Sequence, residues 1–253
     1  MKDDVIKKII RSYTKEAGVR ELERKIATII RKIVTSIVEK RILVNKFIID
    51  MKKLEEFLGK PKYTSSMDAT TGIGVVNGLA YTQYGGDILP IEVTYFKGNG
   101  NLLLTGSLGE VMKESAMIAL DYIKSNYKKY GIKYDELIKN DIHIHVPEAA
   151  IPKEGPSAGI TLTTALISAF AKIKIPKTVA MTGEITLRGS ILPIGGLKEK
   201  SIGALRAGIK KIIIPDGNVR DLDEIPAEVK ENIEYITVKN YKEVYEIFSK
   251  EAM

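Results

Sequence analysis

A serine at a helix start, two lysines at another helix start, and two alternating histidines are the side chains of this sequence that invite chemistry. In Pro152-Lys-Glu-Gly-Pro-Ser-Ala-Gly159, Gly155 and Pro156 set a tight turn and Ser157 opens an apolar helix. Backbone N–H groups at a helix N-terminus are unpaired and carry partial positive charge. Backbone around Gly155, Pro156, Ala158 and Gly159 would therefore suit the oxyanion formed when a serine attacks a carbonyl. Gly159, without a side chain, would let a substrate backbone come close. The segment equally reads as punctuation, since serine is a favoured N-cap and Gly-Pro commonly precedes a helix.

A nucleophilic serine needs a base. The only histidines are His143 and His145, which alternate along Ile-His-Ile-His-Val and share one strand face. Either could serve a triad, or the pair could ligate a metal, although no third ligand is evident. A lysine kept neutral by desolvation or by positive dipoles is the alternative base. Gly195-Gly-Leu-Lys-Glu-Lys200 offers Lys198 and Lys200. Lys200 shares a narrow helical face with Leu197, Ala204 and Ala207, while Lys198 sits nearer Ile202 and Leu205. Helical geometry leaves the two lysines tied, and both could be surface residues.

These residues need a scaffold, and the pattern divides it in two. Residues 1–62 are mostly helical: Asp3–Tyr13 and Glu16–Lys40 have apolar residues at helical spacing, the second with Ile26, Ile29, Ile30, Ile33, Val34 and Ile37 as its stripe. Short apolar runs follow at Ile42–Val44 and Phe47–Ile49, with a turn at Asn45, then a helix around Leu54–Leu58 stopped by Gly59 and Pro61. Residues 63–71 are small and polar and read as a linker. From 72 to 253 strands and helices interleave, which predicts an α/β or α+β fold. Expected strands are Gly74–Gln83, Asp87–Phe96, Ile142–Val146, Val179–Thr182, Gly189–Ile194 and Lys210–Ile214. Expected helices run from Ser107-Leu-Gly-Glu110, which has capping-box spacing, to Tyr127, and over Ser157–Ala171, Leu197–Ala207 and Tyr241–Lys250. Lys97–Asn101 carries a hairpin signal between Phe96 and Leu102, and its Gly98-Asn-Gly100 fits a plain turn better than a phosphate loop.

Bulk properties limit the function classes. The 253 residues, 44% of them hydrophobic, allow a sizeable core, and no apolar run approaches the ~20 residues that span a bilayer. With no cysteine there is no disulfide, thiolate metal site or cysteine nucleophile, and a reducing cytoplasm is the natural setting. Residues 1–60 hold 16 Lys+Arg against 9 Asp+Glu, so they carry the whole net charge of +7. That surplus fits a solvated helix face, or a patch for DNA or an acidic partner.

Six segments together resemble the proteolytic domain of Lon proteases of the A type. They are Gly85-Gly-Asp87, Thr105-Gly-Ser-Leu-Gly-Glu110, Asp141-Ile-His-Ile-His-Val-Pro147, Pro152–Gly159, Met181-Thr-Gly-Glu-Ile-Thr-Leu-Arg-Gly189 and Leu192–Lys200, in family order and spacing. The resemblance implies a Ser157 nucleophile with Lys200 as its base, Thr182 holding the amine, and His145 and Glu92 in support. Tyr13–Arg24 resembles the small helical subdomain of the Lon AAA+ ATPase, where an arginine at the position of Arg20 senses nucleotide. No Gly-x-x-x-x-Gly-Lys-[Ser/Thr] loop is present, so the chain reads as part of a longer protein. ATP and magnesium are then expected for the full-length protein and no cofactor for this piece. The implied partners are unfolded or misfolded proteins and further copies of the chain in a hexameric ring. The rival readings are a non-catalytic oligomerisation module and a nucleic-acid-binding module.

Overall fold

The computed structural model describes residues 1–16, 18–40, 47–63, 72–147 and 152–249. The chain divides into two compact units, Met1–Ser66 and Met67–Met253. Most of the expected linker, the Ile42–Val44 run and the Asn45 turn lie outside the described residues. Among those described, no helix is long and apolar enough to cross a membrane.

The first unit contains α1 (Asp3–Tyr13), α2 (Arg20–Lys40) and α3 (Met51–Leu58), packed around Val5, Ile9, Tyr13, Ile29, Leu54 and Phe57. Helix α2 begins at Arg20 rather than Glu16. The Glu16 carboxylate accepts from the backbone N–H groups of Glu21 at 2.7 Å and Leu22 at 2.8 Å, and so caps the helix from outside it. Only part of the expected α2 stripe is covered within the chain: Ile29 is buried, but Ile30 and Val34 are each 53% exposed.

The second unit is built on a seven-stranded mixed sheet. Its strands are β1 (Val75–Thr82), β2 (Gly85–Lys97), β3 (Leu102–Thr105), β4 (Asn140–His145), β5 (Val179–Met181), β8 (Lys211–Pro215) and β9 (Glu234–Val238), in the order β3-β4-β2-β1-β5-β8-β9. A separate ribbon pairs β6 (Glu184–Ile185) with β7 (Ile191–Leu192). The helices are α4 (Glu110–Asn126), α5 (Tyr134–Ile138), α6 (Gly159–Ala171), α7 (Leu197–Arg206), α8 (Ala227–Asn232) and α9 (Tyr241–Ser249). Alternation along the strands separates two cores. Val76, Ile91, Val93, Met181 and Ile213 join the core formed with α4, α6 and α9, while Leu79, Ile88, Ala180, Ile212 and Ile214 join that formed with α7 and α8.

Two turn expectations are corrected. Strands β2 and β3 are not a hairpin, because β4 lies between them, antiparallel to β2 and parallel to β3. Asp141 at the start of β4 accepts from the N–H groups of Asn99 at 2.8 Å and Asn101 at 2.9 Å, which ties the glycine-rich turn to the intervening strand. Those bonds hold the Asp141 carboxyl below its ordinary pKa. Nor does Ser107 cap α4. Gly109 is the N-cap residue, and the Glu154 carboxylate accepts from Met112 N at 3.3 Å. The expected elements do not include strands β6 and β9 or helices α5 and α8; β6, with two residues, is too short to show a period.

Candidate active site

The site lies where the chain leaves parallel strands β1 and β5, at their carboxyl ends, and meets the starts of α6 and α7. Open α/β sheets commonly bind ligands there. Thr182 directly follows β5. Ser157 sits in a 3₁₀ turn, Pro156–Ala158, that runs straight into α6. Lys200 is in the first turn of α7, behind Gly196 at φ +70°.

The tie between the lysines is broken by burial. Lys198 is exposed, whereas Lys200 is 3% exposed beside Leu197 and Ala204. Its Nζ lies 3.0 Å from Ser157 Oγ and 3.1 Å from Thr182 Oγ1. Thr182 Oγ1 donates its own proton to the Ser157 carbonyl oxygen, 3.2 Å away, and that oxygen also accepts from Gly183 N at 2.8 Å. With its proton so directed, Thr182 Oγ1 can only accept from the amine. A neutral Lys200 is then left with its lone pair free for the hydroxyl proton of Ser157. Burial lowers the lysine pKa to about 8 from 10.5, because the charged form loses hydration.

A cleft of about 550 Å³ opens onto these groups. Leu79, Tyr81, Ile88, Met112 and Ile194 contribute its apolar walls, and Lys153–Ala158 and Gly195–Gly196 its rim. It is large enough for several side chains of an extended peptide.

The backbone around Ser157 divides differently from expectation. Gly155, at φ +109°, supplies a conformation that suits glycine, but its N–H donates to Glu154 Oε1 at 3.1 Å. Pro156 has no N–H, so the amides of Ser157 and Ala158 are the ones at the turn. Gly159 also has a packing role within the fold. It is buried, and a Cβ there would lie 2.7 Å from Ile185 N, so its missing side chain lets α6 approach β6.

Glu92 and His145 are opposite partners on β2 and β4. Neither lines the cleft. His145 Nδ1 and His143 Nε2 instead converge on Thr105 Oγ1, at 2.7 and 2.9 Å. Among the described residues no group of three or more His, Asp or Glu is gathered as a metal site. Arg20 opens α2 in the first unit and is exposed. Glu154, which bonds both α4 and the Gly155 amide, was missed by sequence reasoning. It has no local signal, because its partner helix starts about 40 residues earlier.

Residues 48–250 match the model of the Lon protease (S16) C-terminal proteolytic domain, and residues 1–44 match the Lon protease AAA+ ATPase lid domain. A Lon protease of Mycoplasma mycoides is 54% identical over 249 residues, covering 98% of this chain and 31% of that protein. Lon proteases of Dictyoglomus thermophilum and Rickettsia typhi are each 51% identical over 243 residues, covering 96% of this chain and 31% of theirs. The chain thus spans about a third of the length of the curated relatives it matches. On the family models and on these identities, the chain belongs to the Lon protease family, as a proteolytic domain preceded by an AAA+ lid.

Proposed function

We propose that this chain is the peptidase part of an ATP-dependent Lon protease and cuts peptide bonds with a Ser157–Lys200 dyad. The observation that carries the reading is the buried Lys200 amine 3.0 Å from Ser157 Oγ, at the end of a cleft. The distance is within hydrogen-bond reach for a base and its nucleophile. Neutral Lys200 takes the hydroxyl proton as Ser157 Oγ bonds to the peptide carbonyl carbon. The amides of Ser157 and Ala158 face the developing oxyanion. The Lys200 ammonium returns the proton to the leaving amine as the C–N bond breaks, which leaves an acyl-Ser157 ester. Water then attacks the ester, again giving its proton to Lys200, and Ser157 recovers its own.

Thr182 orients the amine in this scheme. His145 and Glu92, paired across β2 and β4, support it through the sheet rather than by contact. Unfolded or misfolded proteins are the proposed substrates, a hexameric ring the proposed assembly, and the cytoplasm the proposed setting. ATP, magnesium and the nucleotide-sensing role of Arg20 belong to the longer protein. The basic surplus of residues 1–60 supports a second, compatible reading as a DNA contact, recognisable by binding that falls steeply with salt.

The test is hydrolysis of a short unstructured fluorogenic peptide by this chain, by Ser157→Ala and by Lys200→Ala, without ATP. Cleavage by the parent and loss in both variants is expected. Cleavage that survives Ser157→Ala would overturn the chemistry.

A further inference from the structure

Two glycines outside the reacting groups let α7 lie directly on β2. A Cβ on Gly86 would fall 1.8 Å from the Glu199 carbonyl oxygen and 2.9 Å from Lys200 Cα. A Cβ on Gly203 would fall 2.3 Å from the carbonyl carbon and oxygen of Gly86 and 2.8 Å from Asp87 N. Neither glycine has a positive φ, so backbone conformation does not call for either. Their neighbour Gly85 is the opposite case, with φ +104° and open space where its side chain would be. Glycine inside a helix is less favourable than alanine. Gly203 therefore weakens α7 taken alone, and what it permits is the close approach. Across the same contact Arg206 Nη2 donates to the Gly86 carbonyl at 2.7 Å.

Lys200 is held inside this contact. Glu199 and Gly203 flank it on α7, and both touch Gly86. The groups it meets are anchored elsewhere: Ser157 at the start of α6, which packs in the other core, and Thr182 at the end of β5. The depth of α7 on β2 thus fixes how far the amine reaches toward Ser157 and how little water reaches the amine. We propose that Gly86 and Gly203 are positioning residues for the Lys200 amine, their bare backbones setting the depth at which it meets Ser157. The proposal rests on the reading of Lys200 as the base.

An alanine at Gly86 must push α7 and β2 apart by about 1 Å, and misplacement on that scale can lower turnover on the order of 100-fold. Water admitted beside the amine would move its titration from about 8 back toward the ordinary lysine value of 10.5.

The experiment follows the Lys200 Cε resonance of the [¹³C]lysine-labelled chain through a pH titration, assigned by its absence in Lys200→Arg. The variants are Gly86→Ala, Gly203→Ala and Arg206→Ala, each also assayed for peptide cleavage. Leu137→Ala, a fully buried residue of the other core, is the control for general destabilisation. Gly86→Ala and Gly203→Ala are expected to move the midpoint alkaline by ~1 unit or more, with kcat falling on the order of 100-fold. Arg206→Ala removes an exposed side chain and folds even if the glycine variants do not. It must move the midpoint in the same direction by a smaller amount. Leu137→Ala should lower Tm and leave the midpoint in place. A Lys200 midpoint indifferent to the folded variants, or moved as far by Leu137→Ala, overturns the proposal. Should cleavage prove independent of Lys200 while the midpoint still moves, the dyad fails and the positioning of the amine stands.

Discussion

Thr182 Oγ1 lies 3.1 Å from Lys200 Nζ while its own proton points to the Ser157 carbonyl oxygen at 3.2 Å, so one hydroxyl ties the Lys200 amine to the backbone of Ser157. Both residues are buried, and the amine has no other fixed acceptor besides Ser157 Oγ among the described residues. Thr182→Val keeps the shape and removes the hydroxyl. A lost hydrogen bond of this kind is worth about 1.5 kcal/mol, so peptide kcat should drop on the order of 10-fold with little change in KM. Steady-state kinetics at saturating and limiting peptide measure both, and an unchanged kcat would remove Thr182 from the mechanism.

The pH dependence has a definite sign. In the proposed dyad Lys200 works as a neutral amine, and desolvation places its pKa at about 8. Activity should therefore rise with pH through about 8 and level off above it, as the neutral fraction saturates. Initial rates from pH 6 to 10 on one peptide check this. A flat profile, or one that falls across that midpoint, would contradict a lysine base.

The same group links stability to pH. Its pKa is about 8 when folded and 10.5 when unfolded, so between those values the unfolded chain binds more protons. Its contribution to stability is fully unfavourable below about pH 8 and disappears as pH rises to 10.5. Lys200→Met removes the penalty. The variant should be more stable than the parent by about 3 kcal/mol at neutral pH, and that advantage should vanish by the alkaline end. Urea titrations of both chains across this range measure the difference. A parent that is the more stable of the two at neutral pH would show that the buried amine is not desolvated.

Much of this site was readable in the sequence because its signals are local. Gly155-Pro156 before an apolar run places Ser157 at a helix start, and Leu197, Ala204 and Lys200 share a face that is indeed buried. What decides between Lys198 and Lys200 is contact with Thr182 and Ser157, which comes from other elements and has no trace in helical spacing. The same limit explains the errors. Lys97–Asn101 looks like a hairpin because turn chemistry is local, while the insertion of β4 between β2 and β3 depends on residues about 40 positions later. Nor does local sequence show that a Cβ at Gly159 would meet Ile185 of β6.

Glu154 gives a prediction about the scaffold under Ser157. Its carboxylate accepts from Met112 N at 3.3 Å and Gly155 N at 3.1 Å, capping α4 and bracing the turn before Ser157. Glu154→Ala should cost about 1 kcal/mol, the usual worth of a helix cap. Chemical denaturation at neutral pH gives the value. A loss within error of zero would mean that the carboxylate caps nothing in solution.

The most direct test of the central claim is covalent. A peptidyl fluorophosphonate captures a serine only when its hydroxyl is activated, and digestion followed by mass spectrometry locates the adduct. The dyad predicts one adduct, on Ser157, that forms faster as pH rises through about 8 and is lost in Lys200→Ala. An adduct on another residue, or labelling of Ser157 at an undiminished rate in Lys200→Ala, would contradict it.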